Sequence, residues 1–164
     1  MHEIDLKILH VMRTTGHSPA VERAARALGK AGNHGVIWLV VGGLLALVDG
    51  ANREAWVICA ALGPVAIGLN YLVKLAVRRP RPVLEGLPPL GGAPSSLSFP
   101  SAHATSSFAV ATAMARVEPL GALAFVLAFA LALGRPYLGM HYPSDVLVGA
   151  VLGLGLGLIV PLSL

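Results

Sequence analysis

AWVICAALGPVAIGLNYLVKLAVRRPRP, residues 55–82, decides the architecture. No charge falls between Ala55 and Val73, and then Lys74, Arg78, Arg79 and Arg81 follow in quick succession. An uncharged apolar stretch of about 18 residues or more reads as a membrane-crossing helix. A basic cluster at its end reads as the water-facing terminus. The whole chain shares this character. Its 164 residues are 55% hydrophobic and 12% charged, with a mean hydropathy of +0.75. Soluble domains run at about 45–50% apolar and about 25% charged, so a water-soluble domain is excluded.

Four further apolar stretches flank this one, at 35–48, 102–117, 120–133 and 144–164. The expectation is an all-α, polytopic membrane bundle of about five transmembrane helices, although three stretches fall short of the usual 17–20 residues. Gly50-Ala51-Asn52 and Glu118-Pro119 mark turns, and the Pro-, Gly- and Ser-rich segment 80–99 reads as an extended loop. The first thirty residues have no apolar leader core and carry charges throughout. Ile4, Leu6, Ile8, Leu9, Val11 and Met12 fit one amphipathic helix, and residues 20–28 fit another. Helices lying in the membrane interface are expected over 1–33, with the transmembrane core over 34–164. The length suits one domain, 1–164.

Cys59 is the single cysteine and lies within an apolar run, so no internal disulfide can form. No Cys/His cluster has zinc spacing, and neither metal nor cofactor is expected. The basic balance, pI about 9.7, raises nucleic acid as a partner. The basic residues adjoin apolar runs rather than forming a soluble face, which favours anionic lipid or phosphate instead.

Three polar motifs interrupt the apolar background: KLAVRRPRP (74–82), PSAH (100–103) and RPYLGMHYPSD (135–145). Ionisable groups in such surroundings are costly and are functional candidates by default. Lys74 and Arg81, a point charge and a bidentate fork, suit a phosphate; they equally suit a helix-end anchor. Ser101 suits an N-cap whose free N–H groups face an anion, and His103 suits proton donation. A plain cap with an interfacial histidine is the ordinary alternative. A carboxylate at Asp145 fixes the tautomer of His141 and leaves a nitrogen able to attack phosphorus; the pair also suits simple capping of the last helix. With five crossings, all three motifs reach the same membrane face. Setting aside Lys74, Arg81 and Arg135, that face carries seven Lys and Arg against two, Arg53 and Arg116, on the other. The positive-inside rule then directs the motif-bearing face to the cytoplasm, and suggests the plasma membrane as the location.

The three motifs resemble the signatures of the type-2 phosphatidic acid phosphatase superfamily, K-x6-RP, PSGH and SR-x5-H-x3-D, in order and in internal spacing. The resemblance spans residues 74–145. It implies a helical membrane phosphatase that needs no metal. His141 would be the nucleophile, Asp145 its orienter and His103 the general acid, with Lys74, Arg81, Ser101, Ala102 and Arg135 around the phosphate. Two positions depart from the pattern: Ala102 stands for Gly, and Gly134 stands for Ser. The expected reaction is hydrolysis of a lipid phosphate through a phosphohistidine. The lipid would be a polyprenyl-phosphosugar phosphate, phosphatidylglycerol phosphate, polyprenyl diphosphate or phosphatidic acid. A cytoplasmic site favours a biosynthetic intermediate, such as a polyprenyl-phosphoribose 5-phosphate or phosphatidylglycerol phosphate. Tail burial would supply affinity at about 0.8 kcal/mol per methylene. A lipid-phosphate carrier or flippase would keep the cations but has no use for the histidine pairs, and a phosphotransferase would use an alcohol in place of water. Gly149, Gly153 and Gly157 form overlapping G-x3-G repeats that permit close helix packing, within the chain or between two copies in a homodimer.

Overall fold

The structure, a computed structural model, describes residues 2–92 and 97–162. Ser95 in the long loop, and the last two residues of the expected final span, lie outside these. Among the described residues seven α-helices follow in order: α1 His2–Thr14, α2 Pro19–Ala31, α3 Val36–Val48, α4 Arg53–Val77, α5 Ala102–Val117, α6 Ala124–Tyr137 and α7 Pro143–Ile159. Short 3-10 turns at Asn33–Gly35 and Pro119–Leu123 lead into α3 and α6. No strand occurs among the described residues, as the all-α expectation requires.

Length bears on the count of crossings. Among the described residues, only α4, and α6 together with its preceding 3-10 turn, are long and apolar enough to cross a membrane alone. The pair α2 with α3, bent by 57° at the Asn33–Gly35 turn, is a third possibility. By length and composition alone, two or three crossings are supported among the described residues, and the five expected from the sequence are not confirmed. At about 1.5 Å rise per residue, the 13 residues of α3 and the 16 of α5 are too short to span unaided. The fourth apolar stretch also ends differently. Helix α6 runs on through Pro136, so Arg135 sits in its last turn rather than in a loop.

Helix α5 is the axis of the bundle. Every residue from Ala104 to Met114 is buried, and most are Ala, Ser or Thr. Small side chains there let α4, α6 and α7 approach closely. The glycines of α7 supply the other half of that contact. A Cβ at Gly149 would lie 2.7 Å from the Ser101 carbonyl oxygen, and one at Gly157 would lie 2.4 Å from that of Ala109. The small-residue face of α7 is thus taken up by α5 of the same chain. At the far end, Arg116 donates to the carbonyls of Gly157 and Val160, and Arg53 donates to that of Ala46. Both arginines assigned to that face satisfy free carbonyls at a helix end or turn.

The expected N-terminal amphipathic helices form. Ser18 accepts from the Val21 amide at 3.3 Å, and Pro19 opens α2. Helix α1 turns Asp5, Leu9 and Arg13 inward, all buried, and leaves Ile4, Ile8 and Val11 exposed along one stripe. The bend after α2 needs His34 and Gly35 in the left-handed region, at φ 55° and 74°. A side chain at Gly35 would also meet the Pro64 nitrogen at 3.1 Å.

Candidate active site

The end of α4, the start of α5 and the α6–α7 connection meet at one end of the bundle, and α2 lies across them. A cavity of about 330 Å³ opens there, lined by Lys74, Arg81, Ala102, His103, Arg135 and His141, together with Ile67 and the α2–α3 junction. The three motifs, up to 67 residues apart in sequence, converge on one space.

His141 sits in the α6–α7 loop and is buried. Its Nδ1 lies 3.3 Å from Asp145 Oδ2. A carboxylate can only accept, so Nδ1 carries the hydrogen and Nε2 keeps its lone pair. Arg81 donates toward that lone pair at 3.2 Å and also to the Met140 carbonyl at 2.6 Å. Burial holds the imidazole neutral, with its pKa pushed down to about 3. The hydrogen bond to Asp145 opposes this, and the charges of Arg81 and Arg135 reinforce it. A neutral, correctly oriented imidazole is what nucleophilic attack requires.

His103 is in the first turn of α5. Its Nε2 lies 2.9 Å from the carbonyl oxygen of Gly29 on α2. A carbonyl only accepts, so Nε2 is the donor there and Nδ1 is the nitrogen left for proton exchange. Lys74 is buried in the last turn of α4 and donates to the carbonyls of Leu97 and Ser98 at 2.9 and 3.2 Å. Arg135 is likewise buried, and its Nε is without a hydrogen-bond partner among the described residues. A buried guanidinium donor with no partner needs an acceptor from elsewhere, and a phosphate oxygen suits it. Three cations thus face one cavity. The carboxylate beside them, Asp145, is already engaged by His141, the Tyr142 amide at 2.9 Å and Arg79 at 2.8 Å. No group of three or more His, Cys, Asp or Glu able to hold a metal occurs among the described residues.

Ser101 behaves differently from the other motif residues. It is fully buried and absent from the cavity wall. Its Oγ accepts from the Ala104 amide at 3.5 Å as the α5 N-cap, and its own amide donates to the Asp145 carbonyl at 2.9 Å. It therefore ties the start of α5 to α7. Ala102 is helical and lines the cavity, so the Gly-to-Ala departure is accommodated. At Gly134 an added Cβ would meet nothing nearer than Ala25 at 4.0 Å, so the missing hydroxyl is not forced by crowding.

Sequence reading missed the contributions of α1 and α2. A Cβ at Gly29 would lie 2.8 Å from an Arg135 terminal nitrogen, and one at Gly32 would lie 2.8 Å from His103 Cδ2. Glycine at i and i+3 in an otherwise Ala-rich helix was the available signal for close approach. Arg79 read as a juxtamembrane charge, yet it bridges Asp145 and Asp5 and lies over the Tyr142 ring at 3.8 Å.

A helical bundle that gathers two histidines, a carboxylate and three cations, two of them buried, at one end defines a membrane phosphatase of the PAP2 superfamily. The chain matches that family over residues 54–164 and belongs to it. It is an integral membrane protein and an enzyme of the lipid phosphatase class. It is 42% identical over 142 residues to the decaprenylphosphoryl-5-phosphoribose phosphatase of Mycobacterium tuberculosis, covering 87% of this chain and 80% of that one. In fold it resembles the crystal structure of Aquifex aeolicus LpxE, with TM-score 0.74 and 24% identity over 95% of this chain and 93% of that one. It also resembles the PAP2-type phosphatidylglycerolphosphate phosphatase of Bacillus subtilis, with TM-score 0.75 and 23% identity over 96% and 83%.

Proposed function

We propose that the chain hydrolyses the terminal phosphomonoester of a polyprenyl-phosphosugar, in the class of a polyprenylphosphoryl-5-phosphoribose. The observation that carries the substrate is the 42% identity, over 87% of this chain, to a phosphatase of that lipid. The arrangement of the site supports the following reaction. Lys74, Arg81 and Arg135 take the phosphate oxygens, joined by the free N–H groups at the start of α5 around Ala102. His141 Nε2 attacks phosphorus in line as the ester P–O bond breaks. His103, once the bound phosphate dianion has drawn a second proton onto its Nδ1, gives that proton to the sugar oxygen that leaves and is neutral afterwards. Asp145 stabilises the imidazolium formed at His141. Water then attacks the phosphohistidine, His103 takes a proton from it, and the P–N bond breaks to release inorganic phosphate and free His141.

The tail would leave along the apolar wall at Ile67. That residue is seven positions before Lys74, or about 10 Å deeper along α4. Five crossings, with α3, α5 and α7 reaching across as short members of the bundle, put this site on the cytoplasmic face. Seven non-ligand basic residues against two support that side. The test is phosphate release by purified enzyme in detergent from four lipids: polyprenylphosphoryl-5-phosphoribose, phosphatidylglycerol phosphate, polyprenyl diphosphate and phosphatidic acid. The phosphoribose lipid should have the highest kcat/KM. Preference for any of the other three would reject the assignment of substrate.

A further inference from the structure

The family match begins at residue 54, yet a side chain from α1 reaches the catalytic centre. Arg79 Nη1 donates to Asp145 Oδ1 at 2.8 Å, on the oxygen opposite the one that receives His141 Nδ1–H. Its Nη2 donates to Asp5 Oδ2, also at 2.8 Å. Asp5 accepts in addition from the Ser144 amide at 3.0 Å and from the Ser144 hydroxyl, which itself accepts from Arg79 Nη1 at 2.8 Å. The chain Asp5–Arg79–Asp145–His141 is therefore continuous. Asp5 is 5% exposed and Asp145 fully buried. Burial works against the charged Asp5, but the hydrogen bonds from Arg79 and Ser144 hold its carboxyl below the usual range. Arg79 is thus a cation shared between two carboxylates. Without Asp5, its full charge would fall on Asp145 and weaken the partner that must stabilise an imidazolium.

We propose that Asp5 is a positioning residue for the phosphatase reaction. Through Arg79 it fixes and charge-balances Asp145, so that a docked α1 is a condition for the orientation of His141. This rests on the reading of His141 as nucleophile. Helix α1 is suited to the task because its two faces are divided. Asp5, Leu9 and Arg13 are buried against the body, and Arg13 also donates to the Pro88 carbonyl at 2.8 Å. Ile4, Ile8 and Val11 face outward.

The test uses the full chain in detergent, with soluble radiolabelled phenyl phosphate, so that turnover does not depend on membrane docking. Asp5→Asn should slow phosphoenzyme formation about tenfold or more, in the range found for partners that orient a site's ligands. KM should stay unchanged, the loss should persist at temperatures well below the variant's Tm, where the broken ion pair has not unfolded the chain, and Asp5→Glu should recover part of the rate. Arg79→Lys, which keeps a cation but loses the two-pronged bridge, should show the same loss and serves if Asp5→Asn does not fold. Unchanged turnover of phenyl phosphate in both variants overturns the proposal. So does a defect confined to vesicle-borne lipid and expressed in KM, which would make α1 a membrane anchor only. His141→Ala is the control for the underlying reading: if it still accumulates label, the nucleophile is misassigned whatever Asp5 does.

Discussion

Substituting Gly153 by alanine asks whether the α5–α7 contact sets the catalytic geometry. A Cβ at Gly153 would lie 2.4 Å from the Thr105 carbonyl oxygen and 2.9 Å from both the Ala109 nitrogen and Phe108 Cβ, where ordinary contact begins at 3.4 Å. Two of these are backbone atoms, so no rotamer change relieves them, and the helices must part by roughly 1 Å. Overpacking of that kind costs about 1–3 kcal/mol. Alanine recovers up to about 1 kcal/mol through helix propensity. Gly155 is the internal control, since it lies in the same helix and an added Cβ meets nothing within 4 Å. The propensity gain cancels between the two variants. Gly153→Ala should therefore fall below Gly155→Ala by about 1–3 kcal/mol, or about 2–4 °C in Tm for each kcal/mol at this size. The displacement also reaches the chemistry. Asp145 is two turns earlier on α7, and its carbonyl receives the Ser101 amide that starts α5. A 1 Å misplacement of reacting groups costs up to about 10²-fold in rate. Thermal unfolding in detergent and kcat on an aryl phosphate measure both effects. If Gly153→Ala melts and turns over like Gly155→Ala, the argument from helix contact is wrong.

Four further outcomes are expected. His141→Ala should abolish turnover and covalent phosphate capture on every substrate, whereas His103→Ala should be partly rescued by an aryl phosphate, whose leaving group needs less protonation; equal loss on both substrates in both variants contradicts the roles assigned. Activity should survive excess EDTA, because the cavity wall carries no carboxylate among the described residues and Asp145 behind it is already engaged by Arg79 and His141; restoration of a lost activity by magnesium would reverse that view. His141 has a folded pKa near 3 against an ordinary 6.5, so the unfolded chain binds the extra proton between those values. Stability should be full above about pH 6.5 and fall toward pH 3 by up to about 1.4 kcal/mol per pH unit, with a shallower slope for His141→Asn in denaturant titrations. Finally, Glu85→Cys on a Cys59→Ala background should resist a membrane-impermeant thiol reagent in intact cells and react after permeabilisation; labelling of intact cells would turn the active face outward.

Composition and motif spacing were enough to indicate an all-helical membrane phosphatase. Low charge and apolar runs leave few alternatives to helices in a bilayer, and the order Lys74–Arg81, His103, Arg135–His141–Asp145 is carried by local spacing alone. The tertiary structure decided what depends on contacts between distant segments. It limited the stretches long enough to cross unaided, because helix ends are set by caps and by the bend at His34–Gly35 rather than by hydropathy. It made Ser101 a buried cap and tie where the motif alone suggested a phosphate ligand. It directed the α7 glycines onto α5, a choice the G-x3-G pattern leaves open because it states only that something approaches closely. It also brought Asp5 and the Gly29 carbonyl to the catalytic centre. Nothing local distinguishes an interfacial carboxylate or a helix carbonyl that faces water from one that meets Arg79 or His103. That distinction is made only when α1 and α2 fold back over the end of the bundle.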